Sequence, residues 1–277
     1  YLTGYSDASF GAAGAVGTPA NMITFNGSGQ LNIGSGVSTT TYNVNRSITI
    51  NNGAMPTIQV NFINNASSVT ANISGSVTGT GGFIYTGTTS DVLNLNSLNN
   101  TFAGAIEMST VTTAVGVGVG VASLADSAMA NGNIRFRPGT TGSPNFWLNA
   151  AATQPLTLDY RQFELIGNVT SGLGGGGVGN LNADPNVTLT VNSNLIVTGA
   201  QTQVFSLVGT NTGNNAFAGV IPDGAGTTLV KLAKSGTGTW MVGSADGKSV
   251  NTFSGGTTIT AGTLIARGGG SLGTGLI

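Results

Sequence analysis

The sequence predicts an all-β protein, and three observations support that fold class. Apolar residues alternate with Thr, Asn or Ser in short runs such as Ile58, Val60 and Phe62, the pattern of strands with one buried face. Turn signals rich in Gly and Asn separate the runs at intervals of roughly 8 to 12 residues, as expected of all-β chains. Helical patterning is nearly absent: only residues 123–130, followed by Gly132, predict a helix, of one or two turns.

The strands follow one another along the whole chain, and each is predicted by the same alternation. In chain order the alternating runs are Ile48/Ile50, Ile58/Val60/Phe62, Val69/Ala71/Ile73, Leu93/Leu95, Val187/Leu189/Val191, Phe205/Leu207, Val230/Leu232 and Leu264/Ala266.

Two glycine-rich tracts need separate treatment. In residues 115–121 valine alternates with glycine, so an extended chain would place every glycine on one face, open to a closely packed backbone. This tract predicts a strand for self-association or coil contact, with a strained loop as the alternative; its residues are Val115, Gly116, Val117, Gly118, Val119, Gly120 and Val121. Residues 172–180 lack the Lys of a phosphate loop and the repeated Asp of a calcium repeat, and they predict a flexible surface loop.

Composition excludes several classes of protein. The 277 residues include 8 Lys and Arg against 9 Asp and Glu, with no His and no Cys. The balance of charge argues against a nucleic-acid binder. Without His or Cys, the usual zinc sites and both Ser-His and Cys-His catalysis are excluded. No apolar run is long enough for a transmembrane helix. We therefore expect no cofactor, no metal, no nucleic acid and no membrane insertion by this segment.

A repeated pattern organises the chain. Segments 100–104, 215–219 and 251–255 share the form Asn-x-Phe-x-Gly. In two of the three units a Gly-Thr-Gly signal precedes this form and a Ser-Leu pair follows it, at unequal spacings that indicate inserted loops.

The last unit resembles the autotransporter-associated β-strand repeat, also called the passenger-associated transport repeat, of bacterial surface proteins. The resemblance covers 229–275, with a diverged copy at 79–132. It rests on Leu229, Lys231, Gly236-Thr237-Gly238-Thr239-Trp240, residues 251–259, Ala261-Gly262-Thr263-Leu264 and Ser271-Leu272-Gly273. The resemblance implies a right-handed parallel β-helix, or β-solenoid, that is exported to the bacterial exterior.

This resemblance suggests three regions. Residues 1–20 would form an N-terminal arm or cap, 21–228 a β-solenoid or irregular all-β body, and 229–277 the repeat that continues the solenoid. The competing architecture is an antiparallel sandwich or jelly roll over residues 1 to about 200.

The composition suits stacked coils. Identical Asn and Thr side chains about 4.8 Å apart can hydrogen-bond along ladders, whereas like charges at that spacing repel by about 1 kcal/mol even in water. No charged residue occurs between 47 and 90 or between 186 and 222. Because few charges also leave sheet edges unprotected, we expect the protein to associate with copies of itself.

Two groups of side chains are candidate sites. Asp159, Arg161 and Glu164 form the densest ionisable cluster and could serve a β-helix enzyme acting on polysaccharides, or form a cross-strand ion pair. Aromatic side chains suggest a glycan platform, with core packing as the alternative. The platform residues are Phe136, Phe146, Trp147 and Tyr160.

The sequence therefore predicts a non-catalytic, extracellular structural protein of the bacterial surface that self-associates into a fibre or coat. The alternatives are an adhesin or glycan-binding passenger, with glycans or a neighbouring cell surface as partner, and a polysaccharide-degrading enzyme.

Overall fold

The computed structural model describes residues 2–4, 22–34, 41–60, 68–87, 90–109, 115–139, 143–167 and 174–277. Within these ranges the chain forms 25 strands and no helix. The strands are β1 (Leu2–Gly4), β2 (Ile23–Phe25), β3 (Gln30–Ile33), β4 (Thr41–Val44), β5 (Ile48–Ile50), β6 (Thr57–Val60), β7 (Thr70–Ile73), β8 (Val77–Thr78), β9 (Phe83–Thr86), β10 (Val92–Leu95), β11 (Ile106–Ser109), β12 (Val115–Val121), β13 (Ile134–Arg137), β14 (Ser143–Leu148), β15 (Leu156–Leu158), β16 (Phe163–Leu165), β17 (Gly174–Asn180), β18 (Leu189–Val191), β19 (Ile196–Val197), β20 (Gln203–Gly209), β21 (Asn215–Phe217), β22 (Val230–Lys234), β23 (Thr239–Val242), β24 (Thr257–Ile259) and β25 (Thr263–Ala266).

Strands that are consecutive in the chain belong to different sheets, and each pairs in parallel with the strand one coil further on. The result is a β-solenoid of about 8 turns. The first sheet runs β1-β3-β6-β9-β11-β13-β16-β19 and the second β4-β7-β10-β12-β14-β17-β20-β22-β24. The other strands form a third group in two separate sheets, β2-β5-β8 and β15-β18-β21-β23-β25.

The coils differ in length, although their strands stay in register. Tyr42 pairs with Ala71 and Ala71 with Leu93, so one coil takes 29 residues and the next 22. Between β15 and β18, Leu156 pairs with Leu189, a step of 33 residues. Insertions are therefore absorbed in the turns while the strands stay paired, as the unequal repeat spacings predicted.

Alternating side chains from every coil fill the solenoid interior. In β6 and β7 every second residue is buried, and Ile58, Val60, Ala71 and Ile73 expose no surface. Aromatic rings from successive coils meet inside, for example those of Phe136 in β13 and Phe163 in β16 with centroids 5.8 Å apart. Burial of these apolar side chains in the interior is the main contribution to the stability of the fold.

The structure confirms the all-β, parallel solenoid and corrects three expectations. The antiparallel sandwich over the N-terminal part is wrong, because every strand pair in the described ranges is parallel. Residues 123–130 form turns with one bridge between Ser127 and Ala130, not a helix. The glycine tract expected to be a loop is strand β17 from Gly174 onward, with 172–173 outside the described residues. Of the expected arm at 1–20, only β1 is described, and it pairs with β3.

The repeated Asn-x-Phe-x-Gly segments have one structural role. Asn100, Asn215 and Asn251 are buried, and each carboxamide joins three successive coils. The Asn251 Oδ1 accepts a hydrogen bond from Ile221 N (2.8 Å) in the preceding coil, and its Nδ2 donates to Ser271 O (2.6 Å) in the following one. Asn100 and Asn215 make the equivalent bonds. The sequence repeat therefore marks an internal amide clasp between coils.

Candidate functional site

Strand β12 does not offer the self-association edge that its sequence suggested. Residues 118–121 pair with β10 on one side and with β14 on the other, so neither edge is free there. Val117, Val119 and Val121 face the core and expose no surface. Gly118 and Gly120 are buried as well, so the tract is a strand that makes the predicted contact between coils, neither the self-association strand suggested for residues 115–121 nor the alternative of a strained loop.

A tryptophan takes up the space on the glycine face. Trp147 in β14 lies in register between Gly120 of β12 and Gly179 of β17. A Cβ atom on Gly120 would collide with both the Trp147 indole Nε1 and the Asn94 Oδ1. The glycines therefore make room for one large outward side chain within a sheet whose strands are about 4.8 Å apart.

The proposed aromatic glycan platform is not formed. Phe136 and Phe146 expose no surface and pack in the core, where both rings lie within 6 Å of the Phe163 ring (5.8 and 5.6 Å between centroids). Trp147 is 6% exposed, and Tyr160 is the one platform residue that is open, at 52%. The prediction is wrong because inward and outward positions alternate, and two of the four residues fall on inward positions.

Arg161 is buried and holds the coils together where the third sheet is interrupted. We call residues 98–104 and 122–132, which carry no strand of the third sheet, the seam. The Arg161 guanidinium donates four hydrogen bonds to carbonyl oxygens in the seam, at 2.6 to 2.9 Å. The acceptors are Phe102 O, Gly104 O, Ala125 O and Gly132 O.

Asp126 in the seam completes this arrangement from the other side. Its carboxylate accepts hydrogen bonds from the backbone N–H groups of Asp159, Tyr160 (3.0 Å) and Arg161 (2.7 Å). Burial lowers the pKa of Arg161 to about 10, an effect that the negative charge of Asp126 partly offsets. At neutral pH the guanidinium therefore stays charged, and its role is to bind backbone rather than substrate.

The three ionisable residues suggested for catalysis do not share one site. Arg161 points into the seam, while the Asp159 carboxylate accepts a hydrogen bond from Asn192 Nδ2 (2.7 Å) at the surface. Glu164 lies on the outer face of the first sheet, in register with Arg135. Residues 159–162 form a corner rather than a strand, so the alternation that placed Asp159 and Arg161 on one face does not apply.

Glu164 belongs to a charge ladder on the first sheet, which sequence reasoning foresaw only as a cross-strand ion pair. Arg135 Nε lies 3.1 Å from Glu164 Oε2, and Arg137 Nε lies 2.7 Å from Glu107 Oε1. Glu107, Arg135 and Glu164 are register partners on three successive coils, so unlike charges alternate along the stack. Opposite charges at this spacing attract, which explains why the chain places its two Glu residues here.

A pocket opens on the outer face of the second sheet, and sequence reasoning missed it. Its volume is about 370 Å³, and it is lined by Asn72, Asn94, Asn96, Asn149, Ala150 and Ala151. Asn94 Nδ2 donates to Asn72 Oδ1 (3.1 Å), and Asn72 Nδ2 donates to Asn43 Oδ1 (3.0 Å). The signal in the sequence is a column of Asn at register partners 43, 72 and 94, visible only once the coil lengths are known.

The coil that contains β24 and β25 has a strand neighbour on one side only among the described residues. β24 pairs with β22, and β25 pairs with β23. Ile259 (48% exposed) and Ile265 (41%) are open to solvent in these strands. Neither strand contains a charged residue or a proline, and residues near the C-terminus cover the start of β24, where Thr257 N–H donates to Leu276 O (2.8 Å).

The described ranges contain no cluster of three Asp, Glu, His or Cys side chains that could hold a metal ion. In the same ranges no helix could span a bilayer.

Comparison of the chain with models of protein families, with curated proteins and with solved structures gave no significant match in any of the three. The resemblance of 229–275 to the autotransporter-associated repeat accordingly stays a prediction.

Proposed function

We propose that this protein is a non-catalytic structural β-solenoid of the bacterial exterior that associates with copies of itself into a fibre or coat. The observation that carries the proposal is a solenoid whose stacked strands carry little charge, among them β24 and β25, which carry none. Free N–H and C=O groups on an uncharged edge strand are a template for another strand. A second copy can add its own strands there in the same parallel register.

Low charge supports the same proposal. The chain carries 17 charged residues among 277, and its net charge is −1. Several of these charges are used inside the fold, including Arg161 and Lys234, which expose no surface. Little electrostatic repulsion therefore opposes contact between copies.

Structural use of the ionisable residues supports a role without catalysis. The Arg161 guanidinium is occupied by four carbonyl oxygens, and Glu164 is ion-paired with Arg135. A carbohydrate enzyme at Asp159, Arg161 and Glu164 would need these groups to converge on one open site. The location outside a bacterium rests on the repeat resemblance alone, and labelling of intact cells with an antibody tests it.

Sedimentation velocity at micromolar concentration tests the self-association. The wild-type chain is expected to form dimers or larger species, whereas a variant with Thr258→Lys and Ile265→Lys on the open edge is expected to stay monomeric. A matched control, Thr157→Lys, adds a charge to an exposed position of β15 far from that edge and should associate like the wild type. A wild-type chain that sediments only as a monomer contradicts the proposal.

A further inference from the structure

Four asparagine carboxamides and two alanines line the second-sheet pocket, and this chemistry selects its ligand. None of the six lining residues is charged, so the pocket offers no counter-ion for a phosphate or a carboxylate. Each carboxamide supplies one acceptor oxygen and an NH₂ donor. A suitable ligand is neutral and presents donors and acceptors close together.

The pocket exists because the coil that contains β12 is set back between the coils of β10 and β14. At two outward positions the coil of β12 carries Gly120 and Ala122, where the coil of β10 carries Asn94 and Asn96. Asn149 Nδ2 therefore reaches across this coil to Asn96 Oδ1 at 3.0 Å. That hydrogen bond spans two strand steps, roughly 10 Å of backbone, and it fixes one wall of the pocket.

Polar atoms remain available at this place. Asn72 is bonded on both sides, since its Nδ2 donates to Asn43 Oδ1 and its Oδ1 accepts from Asn94 Nδ2, whereas Asn94 is bonded only to the preceding coil. The Asn94 Oδ1 ends the ladder and accepts no hydrogen bond from the described part of the chain, because the next coil carries Gly120. It lies beside the indole Nε1 of Trp147. An acceptor and a donor are thus held next to each other on rigid strands.

The alanines complete the site with an apolar side. Ala150 and Ala151 are exposed at the corner after β14, and Asn149 Oδ1 accepts a hydrogen bond from Ala151 N (3.0 Å), which fixes the corner. A volume of about 370 Å³ is at the small end of ligand pockets, about 300 to 1,000 Å³. A sugar ring matches this lining, because its hydroxyl groups can contact the carboxamides while its C–H groups lie against the alanines.

We propose that the pocket of Asn72, Asn94, Asn96, Asn149, Ala150 and Ala151 binds a neutral saccharide of one or two units. The hydroxyl groups donate to and accept from the asparagine carboxamides, and the ring lies against the two alanines. This binding is independent of self-association, because the pocket lies on the second sheet between β7 and β14, away from β24 and β25. Binding is expected in the millimolar range, as is usual for a small open pocket with few apolar contacts.

Saturation-transfer NMR with titration tests the proposal on the full chain. The probes are glucose, galactose, mannose and N-acetylglucosamine, with glucuronate and glucose 6-phosphate as charged counterparts. At least one neutral sugar is expected to bind, and its charged counterpart is expected to bind more weakly. Absence of any neutral-sugar signal up to about 50 mM overturns the proposal, as does tighter binding of the charged sugars.

Two variants locate the binding. Ala150→Phe and Ala151→Phe fill the pocket from exposed positions and leave the core untouched, and each is expected to weaken binding at least about tenfold. The matched control, Ala225→Phe, changes an exposed alanine in the turn before β22 and should bind like the wild type. Unchanged binding in both pocket variants overturns the proposal. A pocket variant that loses self-association but keeps sugar binding also overturns the proposal, because the pocket would then be occupied by a second copy of the chain.

Discussion

At the residue scale, buried polar groups join the coils at their corners. Arg161 binds four carbonyl oxygens, and Lys234 Nζ donates to Ser235 O, Gly236 O and Ala261 O, across two coils. Burial lowers the pKa of Lys234. Sequence reasoning found the Asn-x-Phe-x-Gly repeats but not these cations, because their partners are backbone oxygens that leave no trace in the sequence.

Loss of the Arg161 guanidinium should destabilise the fold strongly. Arg161→Met leaves four carbonyl oxygens and the Asp126 carboxylate without their charged partner, and we expect the free energy of unfolding to fall by about 3–5 kcal/mol. Guanidinium chloride titration measures it. Lys231→Met, which removes an exposed cation on β22, is the control and should change stability by less than about 0.5 kcal/mol. Equal effects of the two substitutions would show that Arg161 does not hold the seam.

Tyr85 should make stability depend on alkaline pH. Burial, with a smaller contribution from the charge of Asp91, raises the pKa of Tyr85 well above 10, and its hydroxyl donates to Asp91 O at 2.7 Å. Above pH 10 the unfolded chain loses a proton that the folded chain keeps, so stability falls as pH rises. The advantage of the wild type over Tyr85→Phe should shrink by about 1.4 kcal/mol for each pH unit above about 10.

Urea titrations of both proteins from pH 8 to 11 measure this difference. Other ionisable groups, such as Arg161 and Lys234, are common to both proteins, so their contributions to the difference cancel. A difference that stays constant with pH would contradict a buried, protonated Tyr85.

At the element scale, the sequence predicted strands well wherever apolar and polar residues alternate. It failed at residues 123–130, where the favourable helix composition is overridden by the seam contacts to Arg161 and the Asp159 corner. It also failed at β17, where glycine suggested a loop. There the space that side chains would occupy is filled by neighbours, since a Cβ on Gly176 would meet the Phe136 ring and one on Gly177 the Asn145 Oδ1.

The complementarity of glycine and tryptophan can be tested with a double-mutant cycle. Gly120→Ala places a Cβ against Trp147 and Asn94, and we expect it to cost about 1–3 kcal/mol of stability. In a Trp147→Ala background the same change should cost less, giving a coupling energy of about 1 kcal/mol or more. Thr190→Ala, at a half-exposed outward position of β18, is the control, and its effect on stability should be the same with and without Trp147→Ala. Additive effects of Gly120→Ala and Trp147→Ala would contradict the packing described for β12 and β14.

At the scale of the whole molecule, one property explains the composition: each coil repeats the backbone path of the last. Polar side chains can therefore stack as ladders, as Asn43, Asn72 and Asn94 do, while charge is tolerated where unlike charges alternate, as along Glu107, Arg135 and Glu164. The sequence predicted this solenoid but not the surface pocket, because which residues become neighbours depends on coil lengths of 22 to 33 residues.

The stacking of coils in parallel register is measured most directly by pulsed electron paramagnetic resonance between spin labels. Thr41, Ser206 and Thr258 share one row of register partners on the second sheet, and the chain has no native cysteine to interfere. Ser206 lies six strands from Thr41 and Thr258 eight strands from it in the sheet order. At about 4.8 Å per strand, the backbone separations are about 29 Å for Thr41→Cys with Ser206→Cys and about 38 Å for Thr41→Cys with Thr258→Cys. The account predicts that the second pair gives a distance longer by about 10 Å. Equal distances, or a shorter distance for the second pair, would contradict it.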